Sequence, residues 1–413
     1  MKKLLGILVV CLVAWSSASV IGLDALGEEQ VAGGMASTAG RGYAGGAKTG
    51  DAEGLSILNP ARNAFDTKVV FNVNFLMDMV ALEKHGDYFG LRTVTMPSFN
   101  LSFPMGDFGA IGVALWQSYS SNIKEEVKDS AVTMKTKMEY QSSVYEIVPS
   151  YTMRLPIIRN FSIGGSAHIV MGNSMRNISM GPETGDLASG ETWAVSKTEI
   201  SDHVEGTWEI KNHPAYYTLA MQYRGHQSSF YFSYTTPHTL LNELDYNFRM
   251  SELDTLAPTK RSREIKVPAM LATGMNFRFM KRNNVMFDLA ARGWDEDIEN
   301  IGGSFGMDAI TETQKDMLVG LGFQRDGSPL FYDPYLDRVT YRLGGWYKTW
   351  YVKDVYELGG SLGAGFPLGR KGTTLDIAFQ AGKRFADNSR DWDEVFFGIR
   401  IGLMGVGSWG QTR

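Results

Sequence analysis

Thr67-Lys68-Val69-Val70-Phe71-Asn72-Val73-Asn74-Phe75-Leu76 is apolar at Val69, Phe71, Val73 and Phe75 and polar at Lys68, Asn72 and Asn74 between them. A period of two belongs to a strand with one apolar face, because successive side chains leave the backbone on opposite sides. The texture then persists to the C-terminus. Phe99, Leu101 and Phe103 alternate with Ser98, Asn100 and Ser102, and Val285, Phe287, Leu289 and Ala291 with Asp288 and Arg292. Leu375, Ile377, Phe379 and Ala381 alternate with Asp376 and Gln380, and Phe397, Ile399, Ile401 and Leu403 with Gly398, Arg400 and Gly402.

Fourteen such strands are expected, at 67–76, 91–103, 108–120, 138–154, 161–172, 215–224, 228–236, 264–279, 284–294, 316–325, 338–349, 355–366, 373–384 and 394–404. The connections after even-numbered strands hold 4, 6, 3, 4, 12 and 6 residues, and those after odd-numbered strands 14, 17, 42, 27, 21, 5 and 9. An even count, with short turns at one rim and mostly long loops at the other, is the pattern of an all-β transmembrane antiparallel β-barrel whose short turns are periplasmic. Beyond the N-terminal leader no apolar run of about 18 residues is available for a membrane helix.

The two faces of the strands argue for lipid outside and water inside. The apolar face ends in Phe103, Phe108, Phe279 and Phe366 at the short-turn rim and in Tyr119, Tyr351, Tyr356 and Phe397 at the other, as girdles at two lipid–water interfaces require. The opposite face carries Arg278, Asp288, Arg292, Arg342, Glu357, Asp376 and Arg400. A dry sandwich core would take such charges only at several kcal/mol each, whereas a polar lumen accepts them. Pro97, Pro149 and Pro268 fall within expected strands, where each removes a ladder donor, and they are the candidates for a kink.

The 413 residues include 46 Gly and 12% aromatics, with a mean hydropathy of −0.16, which suits neither a disordered chain nor a helical membrane protein. Forty basic against 45 acidic residues give −5, with no electrostatic footprint for nucleic acid. The one cysteine, Cys11, lies in a stretch with Lys2 and Lys3, an apolar run from Leu4 to Val13, and small residues Ser16 and Ala18. This is a secretory signal peptide over 1–18, and Val10 before Cys11 is not the small residue a lipoprotein signal uses. The exported chain is expected to hold together without disulfides. Residues 19–66 form a second region, in which positions 31–54 hold 8 Gly and 6 Ala and lead into Ile57-Leu58-Asn59-Pro60-Ala61; the barrel occupies 67–413.

No chemical motif survives inspection. Gly302–Gly306 and Gly359–Gly363 fit G-x-S-x-G without the strand-to-helix turn a nucleophile elbow needs, and Gly405–Gly410 fits a dinucleotide pattern with no helix to follow. His85, His168, His203, His213, His226 and His238 lack metal-ligand spacing, and the acidic Asp295-Glu296-Asp297 with Glu299 lacks the spacing of a calcium loop. Ser166 and His168 share the inward face of one strand, where polar lumen filling is the default. No enzyme activity, metal or cofactor is expected.

The leader, the segment GMASTAGRGYAGGAKTGDAEGLSILNPA and the fourteen strands resemble the long-chain fatty acid transporter (outer membrane protein transport) family. The Trp346-Tyr347-Lys348 strand and the hairpin GFPLGRKGTTLDIAFQAGKRF look like its distant members in Bacteroidetes-like and Fibrobacter-like bacteria. The chain departs from the family in ending on Arg413, with Trp409 its last aromatic. The resemblance implies an outer-membrane barrel plugged by an N-terminal hatch, here residues 19–66, with Asn59, Pro60 and Ala61 at the junction to the first strand. A small hydrophobic substrate such as a long-chain fatty acid or hydrocarbon would be captured outside and leave sideways or past the hatch. Arg278, Arg292, Arg342 and Arg400 are then expected to line the path and hold a carboxylate head group. The Asn59-Pro60-Ala61 element also resembles the PorV-type barrels of the type 9 secretion system. That second reading implies a secreted protein partner docked on the loops near Met171–Pro214 and Pro237–Arg263.

Overall fold

The computed structural model describes residues 26–30, 34–50, 54–84, 87–129, 134–158, 160–182, 202–250, 253–294, 313–369, 372–386 and 393–407. Residues 1–18 with Cys11, the acidic Asp295–Asp297 and Glu299, the Gly302–Gly306 motif, the end of Gly405–Gly410 and Trp409 lie outside them.

A short strand, β1 (Glu28–Glu29), belongs to the N-terminal segment. The wall begins with β2 (Val69–Lys84), β3 (Asp87–Pro104), β4 (Ala110–Asp129), β5 (Met134–Arg154) and β6 (Phe161–Pro182). Three staves come in two pieces: β7 (Asp202–Ile210) with β8 (Ala215–Arg224), β9 (Ser228–Thr235) with β10 (His238–Met250), and β11 (Leu253–Val267) with β12 (Met270–Phe279). Then follow β13 (Asn283–Arg292), β14 (Asp316–Arg325), β15 (Thr340–Thr349), β16 (Val355–Leu368), β17 (Thr373–Ala386) and β18 (Asp393–Gly407). Adjacent staves pair antiparallel, and β18 pairs with β2 from Asp393↔Glu83 to Gly407↔Val69, which closes a fourteen-stranded barrel.

Each expected strand corresponds to a stave, but several staves are longer than expected. β10 and β11 pair from His238↔Val267 up to Met250↔Leu253, so the expected 27-residue loop is largely a hairpin. Over Asn242-Glu243-Leu244-Asp245 the apolar alternation fades in the sequence, yet the backbone pairing with β11 continues. The divided staves break where Pro214, Pro237 and Pro268 remove ladder donors.

β8 alternates exposed and buried from Ala215 to Gln222, and its outward Tyr217, Leu219 and Met221 join Phe71, Phe232 and Leu321 in a wide apolar belt. Exposed to water this belt would drive association; against lipid it is the surface a transmembrane barrel requires. Phe108 and Phe397 lie exposed at the two rims as expected. Tyr119 and Tyr351 do not: both are buried in the lumen, with rings 6.2 Å apart. A register shift between Gln117 and Tyr119 turns the upper part of β4, and parity counted from below fails beyond it.

The described part of residues 26–66 threads this lumen and is buried almost throughout. Its helix α1 (Ala36–Ala39) packs on β16, β17 and β18. Its final 3-10 turn, Pro60–Phe65, packs on β5, β6 and β8 near the short turns.

Candidate functional site

The N-terminal segment meets the wall backbone to backbone along a track of glycines. A Cβ on Gly344 would lie 2.0 Å from the Arg41 carbonyl carbon and 2.1 Å from the Gly42 nitrogen, and one on Gly320 would lie 2.5 Å from the Gly42 oxygen. Gly42 itself has φ +63° and stands against Gly345, so a side chain there would be strained as well as crowded. Because the track has no side chains, the wall offers polar groups from its flanks. Ser361 accepts the Gly42 N–H at 3.0 Å, Arg41 donates to Gln324 at 2.9 Å, and Asn74 accepts the Ala36 N–H at 3.0 Å.

Lower down, Asn59 donates to the Gly46 oxygen at 2.8 Å and to Gln222 at 2.7 Å. Pro60 opens the 3-10 turn, and the Ala61 oxygen accepts from Thr152 at 3.3 Å and Ser162 at 2.9 Å. These three junction residues are therefore seated in the barrel floor one short turn before β2.

The charged lumen residues are engaged by one another and by this segment. Arg292 donates to Glu29 at 2.6 Å and to Tyr119 at 3.0 Å, and Lys348 donates to the Glu29 main-chain oxygen at 2.8 Å. The Glu29 carboxyl is pushed up by burial but held below the ordinary carboxylate range by the Arg292 guanidinium and the Lys348 ammonium. Arg342 pairs with Asp376 at 2.5 Å. Arg400 donates to Gln380 at 2.7 Å, to Gln30 at 3.1 Å and to the Tyr43 hydroxyl at 3.2 Å. Asp288 accepts the N–H groups of Gly45 and Gly46. Glu357 accepts from Trp346 at 2.6 Å and from Arg384 at 2.8 Å. Arg278 departs from this group. It has inward parity, but it sits at the short-turn end of β12 and is exposed at the rim rather than lining the lumen.

Arg384, which the period-two reading does not single out, bridges three carboxylates of the upper lumen. Its three nitrogens reach Glu28 at 2.7 Å, Glu357 at 2.8 Å and Glu394 at 3.1 Å. Above this layer, near the long loops, Tyr119, Val144, Leu240, Trp294, Trp350 and Tyr351 build a buried apolar cluster with Leu26 of the N-terminal segment.

The wall is incomplete beside this cluster. The β3–β4 ladder runs from Pro104↔Ala110 only to Ser98↔Trp116, although both strands continue upward. Pro97 is the next residue of β3, and the β2–β3 ladder shifts register at the same level. In the gap, β1 of the N-terminal segment pairs with β4, Glu28 with Ser120 and Glu29 with Tyr119. Pro149 interrupts the β5–β6 pairing between Ile147↔Ile169 and Ser150↔Ser166 without shifting it, and Pro268 separates β11 from β12.

Ser166 and His168 do face inward, with Oγ 3.1 Å from Nε2, and Glu146 completes a chain at 2.9 Å from Nδ1. Thr218 also stands 3.0 Å from Nε2, Tyr216 donates to Glu146 at 2.6 Å, and all are buried. An imidazole with both nitrogens so occupied is a satisfied structural network.

With the geometry established, comparison with known proteins places the chain. The family model described as BamG matches residues 21–413. The chain belongs to the BamG family. No curated protein sequence matches this BamG-family chain at a significant level. Among solved structures it is similar to a Pseudomonas aeruginosa FadL homologue, at 14% identity over 93% of this chain and 100% of that one with a TM-score of 0.57. It is also similar to the Pseudomonas putida toluene transporter TodX, at 13% identity, 93% and 100% coverage and a TM-score of 0.60. The Ralstonia pickettii toluene transporter TbuX matches at 12% identity, 93% and 99% coverage and a TM-score of 0.53. These likenesses establish a shared fold, a FadL-like β-barrel, for the BamG-family chain.

Proposed function

We propose that this barrel passes small apolar molecules across the outer membrane, with residues 19–66 as its hatch. The molecule enters the apolar cluster around Trp294, Trp350 and Tyr351 from the long-loop side and leaves sideways between β3 and β4. The carrying observation is the ladder that stops at Ser98↔Trp116 with β1 of the N-terminal segment paired into the freed edge of β4. A wall gap into which a docked segment pairs from inside is a path that opens when the segment moves. The solved neighbours named as toluene transporters support the same substrate class. Binding would rest on desolvation, at about 0.8 kcal/mol per buried methylene.

The engaged arginines refine the substrate. At Arg292 and Arg342 a carboxylate head group would have to displace Glu29 or Asp376, which favours uncharged hydrocarbons at those two positions, whereas Arg400 is held by the neutral Gln380, Gln30 and Tyr43.

Pro97→Val tests the exit. Valine restores a backbone donor and a strand-forming side chain beside Ser98, and so extends the β3–β4 ladder. Uptake of labelled toluene by cells carrying the variant should fall roughly tenfold, since one or two added hydrogen bonds supply about 1.4 kcal/mol of barrier. Unchanged uptake with a folded barrel would refute lateral exit, and absence of uptake by the parent chain would refute transport itself.

A further inference from the structure

A concavity among the described residues interrupts the lipid-facing wall, in its short-turn half. It measures about 410 Å³. Its floor is Gly165 of β6, with Tyr151 of β5 on one side and Leu219 and Met221 of β8, then Phe232 and Tyr234 of β9, on the other. All five side chains point outward and are exposed. The groove exists because Gly165 is the outward residue of its stave there and has no side chain to fill it. A Cβ at this position would make only ordinary contacts, at 3.4 Å from Leu219 Cδ2 and 3.8 Å from the Thr218 oxygen.

The depth of the groove in the membrane follows from its neighbours. Tyr151 donates its hydroxyl to the Phe108 oxygen at 2.8 Å, in the turn that joins β3 to β4. Short turns are periplasmic in such barrels, so the groove opens into the hydrocarbon of the periplasmic-side leaflet. It is continuous with the apolar belt that faces lipid, its volume is that of a small-molecule site, and it is far too small to seat a protein. Inside hydrocarbon no desolvation drives binding. Selectivity comes from dispersion contacts with rigid aromatic walls, which favour a long flexible chain that can follow the groove.

We propose that this groove is a binding site for one acyl chain of a periplasmic-leaflet phospholipid. The site is independent of any molecule that crosses the lumen. The test is native mass spectrometry of the folded protein, extracted from its membranes in a mild detergent. The wild-type chain should retain one phospholipid per barrel. Gly165→Leu fills the groove from its floor without entering the lumen, and Leu219→Phe fills it from the opposite wall. Each should cut phospholipid retention about tenfold, the factor that about 1.4 kcal/mol of lost packing gives, with heat-modifiable migration on gels unchanged. A parent barrel without phospholipid, or equal retention in the parent and both folded variants, would overturn the proposal.

Discussion

Replacing Gly344 by valine should unplug the barrel and leave its wall standing. Valine favours strands, and the pairs that Gly344 makes with Gly322 and Ser361 use only its backbone. The new side chain, however, would begin at a point 2.0 Å from the Arg41 carbonyl carbon. Overpacking of this kind costs about 1–3 kcal/mol where neighbours can yield. Here the only neighbour able to yield is the N-terminal segment, which would lose the Gly42–Ser361 and Arg41–Gln324 bonds as it lifts. The docked state should therefore fall relative to the released one by roughly 5- to 150-fold, the factor those energies give. Single-channel recordings should turn from a closed baseline to pore-sized steps, and the segment should become cleavable by added protease. Gly360→Val is the control. Its Cβ would have nothing nearer than the Gly344 oxygen at 3.8 Å, and it should change neither reading.

Arg384→Ala should be the most destabilising single change in the upper lumen. The substitution leaves Glu28, Glu357 and Glu394, all buried, without the cation that bridges them. Removing one partner of a buried pair costs about 3–5 kcal/mol, because the remaining charge keeps its desolvation penalty. The urea midpoint in detergent should fall accordingly, and β1 should detach from β4, since Glu28 is the residue Arg384 holds there. Arg384→Lys should recover only part of the loss, because one ammonium cannot replace three nitrogens fixed in a plane. Glu28→Gln on the alanine background should recover some stability by removing one buried charge. An unchanged midpoint in Arg384→Ala would mean that water reaches this layer and screens it.

The barrel was legible in Thr67–Leu76 and its repeats because a period of two is local: each residue declares its face without knowledge of the rest. What parity does not carry is depth or partner. Arg278 has the inward phase but stands at the end of β12, where inward means rim. Tyr119 lies beyond a register shift, and one extra residue exchanges the two faces. Of the arginines read as free to hold a ligand, Arg292 pairs instead with Glu29 and Arg400 with Gln30, which sit in an irregular segment where no period marks their direction, and Arg342 pairs with Asp376 of the wall. The glycine track is similarly dispersed. Gly320, Gly344 and Gly363 lie on three strands, and only their registers bring them into one surface. Glu146 reaches His168 across the β5–β6 pair, a contact that the i, i+2 spacing of Ser166 and His168 does not reveal.

If the N-terminal segment must move for an apolar molecule to pass, a reversible lock on it should stop transport. A Cβ at position 40 would stand 3.4 Å from Ala378 Cβ, close to the roughly 3.5–4.5 Å at which a disulfide forms. The sequence holds one native cysteine, Cys11. Gly40→Cys with Ala378→Cys should therefore bond the segment to β17 under oxidation and release it under reduction. Labelled toluene uptake in cells carrying this pair should be abolished when oxidised and restored by a thiol reductant. Equal uptake in the two states, with the disulfide verified by mass, would contradict the account.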